Sequence, residues 1–151
     1  ELLQEKQKLR AHYAVNEKQL RFAYANAQKG TGSAAEKLMQ ALETRLASLV
    51  WRAGLAPTIF AAKQAVNHRH VLVDGKIVDR AGYRVKPGQV ISIDPQRSAS
   101  LANVAQKTDN VVPPYLETDR ENVKSTLIRE PMLDEIPSGV EVIRVIEFYA
   151  R

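Results

Sequence analysis

Arg45, Arg52, Lys63, Asn67, His68 and Arg69 fall within one stretch of 25 residues, and together they offer guanidinium, ammonium, carboxamide and imidazole groups. These are hydrogen-bond donors suited to phosphate. A planar guanidinium can take a phosphate bidentately or lie flat on an exposed base. Arg45 and Arg52 are seven apart, which puts them on one face of a helix, while Leu46, Leu49 and Val50 face another way. Lys63 belongs to a following helix, and Asn67, His68, Arg69 and His70 stand where that helix gives way to a strand. Such an array suits folded RNA, whose narrow major groove hides the base edges and leaves shape, backbone and 2′-hydroxyls to be read.

Other chemistries find little support. His68 and His70 flank an arginine with no third metal ligand apparent, so contact with RNA or solvent is the better reading. The carboxylate pairs Asp134-Glu135 and Glu117-x-Asp119 lie in polar, turn-rich sequence and read as solvated surface rather than an acid–base pair. The sequence contains no Gly-x-Gly-x-x-Gly, phosphate-loop lysine or nucleophile elbow. It has no cysteine, which excludes disulfides, zinc knuckles and thiol catalysis. Neither an enzyme nor a cofactor or small-molecule substrate is expected, and no apolar run is long enough to span a membrane.

The elements that must hold this array follow from periodicity. Leu2, Leu3, Leu9 and Tyr13 recur at helical spacing, and Asn16 with Gln19 forms a capping box for a second helix carrying Leu20, Tyr24 and Ala27. Ser33 to Glu36 is another capping box, opening a run of Leu38, Leu42, Leu46, Leu49 and Val50 that Gly54 stops; one helix or two joined near Glu43 both fit. Thr58 caps a shorter helix with Ala62 and Val66 inward. At His68 the period changes. Val71-Leu72-Val73 and Lys76-Ile77-Val78 flank Asp74-Gly75, a type I′ hairpin signal. Tyr83–Val85 reads as strand, Lys86–Gln89 as a turn and Val90–Ile93 as a buried strand. A short helix is predicted between Ser98 and Lys107, and Val111 to Pro114 is an extended connector. Strands near Tyr115–Thr118, Lys124–Ile128 and Val142–Tyr149 complete the expected sheet, with Trp51 read as core. The fold class is therefore α+β: an N-terminal helical part, then a helix-turn-helix-like pair packed on an antiparallel sheet.

The charge is unevenly distributed. Residues 45–86 hold eight Lys/Arg against two Asp/Glu, a local +6 in a chain of net +5. The segments on either side carry seven against five and seven against ten. Clustered cations of this kind favour a polyanionic partner through counterion release, although an ordinary solvated basic face has the same composition.

Three runs in this stretch resemble the RNA-binding module named after ribosomal protein S-four. They are Arg45-Leu46-x-x-Leu49-Val50-x-Arg52-x-Gly54, Thr58-x-x-x-Ala62-Lys63-Gln64-x-Val66 and Val71-x-Val73-Asp74-Gly75-Lys76. Glu5 to Arg10 and Glu17-x-Gln19-Leu20-Arg21 resemble the helical part of that ribosomal protein family, and Tyr115-Leu116-Glu117 and Ile146 to Arg151 resemble its C-terminal strands. The resemblance covers almost the whole chain. It implies a cytoplasmic small-subunit protein that binds ribosomal RNA directly, nucleates assembly around a multi-helix junction and borders ribosomal protein S-five at an interface that influences decoding accuracy. It implies an RNA face of Arg45, Arg52, Lys63, Asn67, His68 and Arg69, extended by Lys6, Lys8, Arg10 and Arg21 on the helical part. The expected division is residues 1–42 as the helical part and 43–151 as the RNA-binding domain, with the module at 43–94.

Three departures from the family pattern stand out. Ile59 replaces a usual arginine, Ala47 a usual acidic residue and Asp74 a usual asparagine. The chain opens on Glu1, so a preceding segment is expected, and the basic arm and zinc-binding cysteines of some members have no counterpart in the sequence. Two rival functions carry the same module: a fragment of an RNA-modifying enzyme, which would need a separate catalytic domain with its own aspartate, and a free-standing quality-control RNA binder.

Overall fold

A computed structural model describes residues 2–151. Among these, packing separates two compact units: one runs up to Glu43 and is joined by Pro131–Arg151, and the other is Thr44–Glu130. We call them unit 1 and unit 2.

Unit 1 is helical. Helices α1 (Leu2–Tyr13), α2 (Glu17–Ala27) and α3 (Ala34–Glu43) are joined by a C-terminal helix α7 (Val142–Ala150) and a 3-10 turn at Leu133–Glu135. The Asn16 capping box is present in both directions, and the Ser33 hydroxyl accepts from the Glu36 amide at 3.2 Å. The Glu36 carboxylate accepts from the Leu133 amide at 3.3 Å, which ties α3 to the 3-10 turn. Leu9, Tyr13, Leu20, Leu38, Met39, Leu42, Val142 and Val145 form the core. The strand expected over Val142–Tyr149 is thus a helix. Val142, Val145, Ile146 and Tyr149 stand at helical spacing, and burying that stripe in unit 1 overrides the β-propensity of its valines and isoleucines.

Unit 2 begins with α4 (Leu46–Arg52) and α5 (Ile59–Asn67), followed by strands β1 (Val71–Val73), β2 (Lys76–Ile77) and β3 (Val90–Ile93). Helix α6 (Ala99–Gln106) precedes β4 (Leu116–Asp119) and β5 (Lys124–Leu127). The five strands pair antiparallel in the order β2-β1-β3-β5-β4. Asp74 and Gly75 have φ of 50° and 82°, the positive values a type I′ turn needs. The long apolar run resolves into two helices, α3 and α4, because Thr44 turns the chain and Arg45 is extended between them. Tyr83–Val85 does not form a strand; Arg84 makes a single antiparallel bridge to Arg45. Only Thr44 and Arg45 separate α3 from α4, and Arg45 alone is extended, which is too little for a ladder. Gly54 (φ 76°) ends α4 in a Schellman arrangement, with the Leu55 amide donating to Val50 O at 3.0 Å. A side chain at Gly54 would collide with Asn110 and Thr108, so the 108–110 segment can lie directly over the helix end.

Candidate nucleic-acid interface

Helix α5 buries Ile59, Ala62, Ala65 and Val66 and turns Phe60, Lys63, Gln64 and Asn67 the other way. Thr58 caps it, its hydroxyl accepting from the Ala61 amide at 3.0 Å. Ile59, where the family pattern has arginine, is core and offers no polar group there. Phe60 is 69% exposed beside the half-buried Lys63. Sequence reading missed Phe60, yet its spacing of three, four and seven from Lys63, Gln64 and Asn67 puts it on the polar stripe.

The exit of α5 shapes the next three candidates. His68 is the C-cap and Arg69 has φ 67°, the left-handed position usually given to glycine. The His70 amide closes the motif onto Ala65 O at 3.0 Å. Asn67, His68 and Arg69 are exposed on this corner. Arg69 Nη1 lies 3.1 Å from Asp79 Oδ2 in an ion pair with both side chains more than half exposed, a class of pair worth about 0–1 kcal/mol that a phosphate can displace. His70 differs from His68: its Nδ1 is 2.7 Å from the buried Ser98 hydroxyl, so it is a structural contact between α5 and α6. Asp74 is structural as well, since its carboxylate accepts from the Val90 amide at 2.9 Å, a bond the oxygen of asparagine could also make.

Arg45 and Arg52 do not share one helical face. Arg45 is the N-cap residue of α4, extended at φ −62° and ψ 143°. It makes no side-chain cap. Instead the amides of Leu46 and Ala47 donate to Tyr83 O and Ala81 O at 2.8 and 3.1 Å, which pins the 80–84 loop over the start of the helix. The guanidinium of Arg45 lies across Gly82, where an added Cβ would stand 2.9 Å from Nη1. Burial there lowers its pKa below the ordinary value for arginine. Arg52 is only 8% exposed, with its guanidinium 4.3 Å from the ring centre of Trp51. Trp51 is half-buried rather than core, and the pair forms a cation–π contact that closes α4. Arg52 is therefore mainly a packing residue. The structure brings Asn67, His68 and Arg69 together on one exposed corner, with the half-buried Lys63 on the preceding helix, and sets the half-buried Arg45 apart against the 80–84 loop.

In unit 1 the candidates divide again. The Lys6 side chain is 9% exposed; it is hydrogen-bonded to Glu17 and lies 4.7 Å from the Phe148 ring centre. Lys6 is consequently an interior strut and not a surface donor. Glu17 also accepts from the Tyr149 hydroxyl at 2.8 Å, and Arg10 and Arg21 approach it at 3.9 and 3.7 Å. Burial raises the Glu17 pKa, but the hydrogen bonds from Lys6 and Tyr149 and the Lys6 charge outweigh it and hold the carboxyl below its usual 4.5. Burial, then the bond to Glu17, push the Tyr149 hydroxyl well above 10.0. Lys8 pairs with Glu5 at 2.9 Å and remains exposed, as does Arg21.

The sequence also aligns with known proteins. Residues 44–91 match the S4 domain, and residues 1–43 match the N-terminal domain of ribosomal proteins S4/S9. The small ribosomal subunit protein uS4 of Beutenbergia cavernae is 46% identical over 155 aligned positions, covering 99% of this chain and 74% of that protein. The protein of the same name from Bifidobacterium animalis subsp. lactis is 48% identical over 99% of this chain and 75% of its own length. That of Geobacillus sp. is 45% identical with the same coverage.

Proposed function

The chain belongs to the family of small ribosomal subunit protein uS4, and from that membership we propose that it is a structural, non-catalytic protein that binds small-subunit ribosomal RNA directly. The observation that carries this reading is the charge of unit 2. Its 44–130 segment holds thirteen Lys/Arg against eight Asp/Glu, which is the whole net +5 of the chain, while unit 1 holds nine against nine. Positive surplus confined to one unit, with an exposed corner of amide, imidazole and guanidinium donors, suits the phosphates of folded RNA.

On this reading Arg45, Lys63, Asn67, His68 and Arg69 take RNA contacts, with Lys8, Arg10 and Arg21 contributing from unit 1. Arg52 holds α4 in shape, and Lys6 has no direct contact. By family resemblance the protein nucleates assembly at a multi-helix junction in the cytoplasmic small subunit, and ribosomal protein S-five is the neighbour through which it influences decoding accuracy. A fragment of an RNA-modifying enzyme is disfavoured, because the relatives that align with 99% of the chain are named as ribosomal proteins.

Footprinting on total ribosomal RNA, with binding followed across a salt series, tests the proposal. One protected junction is expected, with a log–log salt slope of roughly −4 to −7 from about five to eight phosphate contacts. Diffuse protection, or affinity unchanged between low and moderate salt, would sink it.

A further inference from the structure

Helix α2 buries Leu20 and Ala27 and leaves Phe22 70% exposed on its outer side. Phe22 stands in a shallow groove of about 890 Å³ bordered by Lys18, Arg21, Tyr24, Gln28 and Tyr149. The rings of Tyr24 and Tyr149 stack at 4.7 Å with planes 24° apart, so the groove offers two aromatic surfaces rather than one isolated ring. Lys18 lies one helical turn before Phe22 and Arg21 is adjacent to it, and both cations border the same groove as the ring. The lining includes no carboxylate. Glu17, next along the helix, already accepts from Lys6 and Tyr149.

An exposed ring flanked by cations calls for a ligand with a flat π face and a negative charge one covalent link away. A nucleotide has both. Arg21 shares the Glu17 carboxylate at 3.7 Å with Lys6 and keeps a side chain 65% exposed. Apolar protein surface would satisfy Phe22 but bring no negative charge to Lys18 or to this shared Arg21, whereas an unstacked base with its phosphates answers all three. We propose that Phe22 is a stacking platform for an unpaired nucleobase of RNA, with Lys18 and Arg21 engaging the adjoining phosphates. The inference rests on the RNA-binding function above and adds a base-stacking contact on unit 1.

The test uses the full chain and a small-subunit ribosomal RNA transcript over a salt series. Phe22→Ala is expected to weaken binding about 5- to 100-fold, the range for losing one stacked base. Its salt slope should be unchanged, because stacking releases no counterions, and its thermal midpoint should be unchanged, because the ring is exposed. Phe22→Trp keeps affinity within about twofold, and Lys18→Gln flattens the slope by about 0.7–0.9. Phe22→Ala binding as tightly as wild type overturns the stacking contact and leaves the RNA-binding function standing. Loss of binding to purified ribosomal protein S-five, with RNA affinity intact, overturns it in favour of a protein partner. A wild-type chain with no affinity for the transcript overturns both readings.

Discussion

Unit 1 and unit 2 are built from the same cations and use them differently. In unit 1 a single carboxylate, Glu17, gathers Lys6, Arg10 and Arg21 together with the Tyr149 hydroxyl, Glu5 holds Lys8, and Glu141 holds Arg144. The ion pairs at Glu17 join α1 to α2 and its hydrogen bond from Tyr149 adds α7, and the balance of nine against nine charges leaves no surplus. In unit 2 the Arg69–Asp79 and Arg84–Glu130 pairs are exposed, and the basic excess stays on the surface. Charge in the first unit is largely neutralised by carboxylates of the same unit, with Lys6 drawn into the interior, and in the second the surplus is displayed. A count of Lys and Arg along a sequence does not distinguish the two uses; the position of the nearest carboxylate does.

The contrast is broken most severely at Glu17. Glu17→Ala leaves Lys6 nearly buried without its counter-charge and should lower stability by about 2–3 kcal/mol, read from urea unfolding followed by helical circular dichroism. If the charges of unit 1 are structural, RNA affinity measured where the variant is folded should move little. Acid probes the same carboxylate more gently. Glu17 titrates lower folded than unfolded, so its contribution is whole above about pH 4.5 and is lost as pH falls through the folded value. Helical signal from unit 1 should therefore weaken below about pH 4, and a midpoint that does not shift between pH 6 and pH 3 would count against the network.

Unit 2 should respond in the opposite sense. Arg69→Gly relieves a left-handed backbone and should raise stability by about 1 kcal/mol, while weakening RNA binding by roughly fivefold through one lost contact. A variant that gains stability and keeps its affinity would remove Arg69 from the RNA face. The smallest expected effect is at Gly82. Gly82→Ala crowds only the mobile tip of Arg45, so stability should change by less than about 0.5 kcal/mol, with RNA affinity falling about two- to threefold.

Local signals in the sequence carry through to the structure. The capping residues Asn16, Ser33 and Thr58 make their bonds, the Asp74-Gly75 turn forms, and β1, β3 and β5 lie close to where alternation placed them. Tertiary context decided the rest. The Val, Ile, Phe and Tyr of α7 favour β structure and suggest a strand, whereas their three- and four-residue spacing suits the helix that forms. The site was legible by residue type and less so by exposure. Arg52 and Lys6 look like surface cations in one dimension, but Trp51 covers the first and Glu17 and Phe148 enclose the second. Phe22 and Phe60 look like core residues and are not, because each falls on the polar side of its helix.

The last helix of unit 1 has a consequence for biosynthesis. Its Val142 and Val145 complete a cluster whose other members, Leu9, Tyr13 and Leu38, are translated before any of unit 2. A chain made from N to C can thus finish the interior of its 44–130 segment while the earlier helices still present an open apolar seam. The part translated in the middle is the first able to mature, and the part translated first must wait for α7. During that interval the growing polypeptide already has a rigid, positively charged module with which to meet a nucleic acid partner.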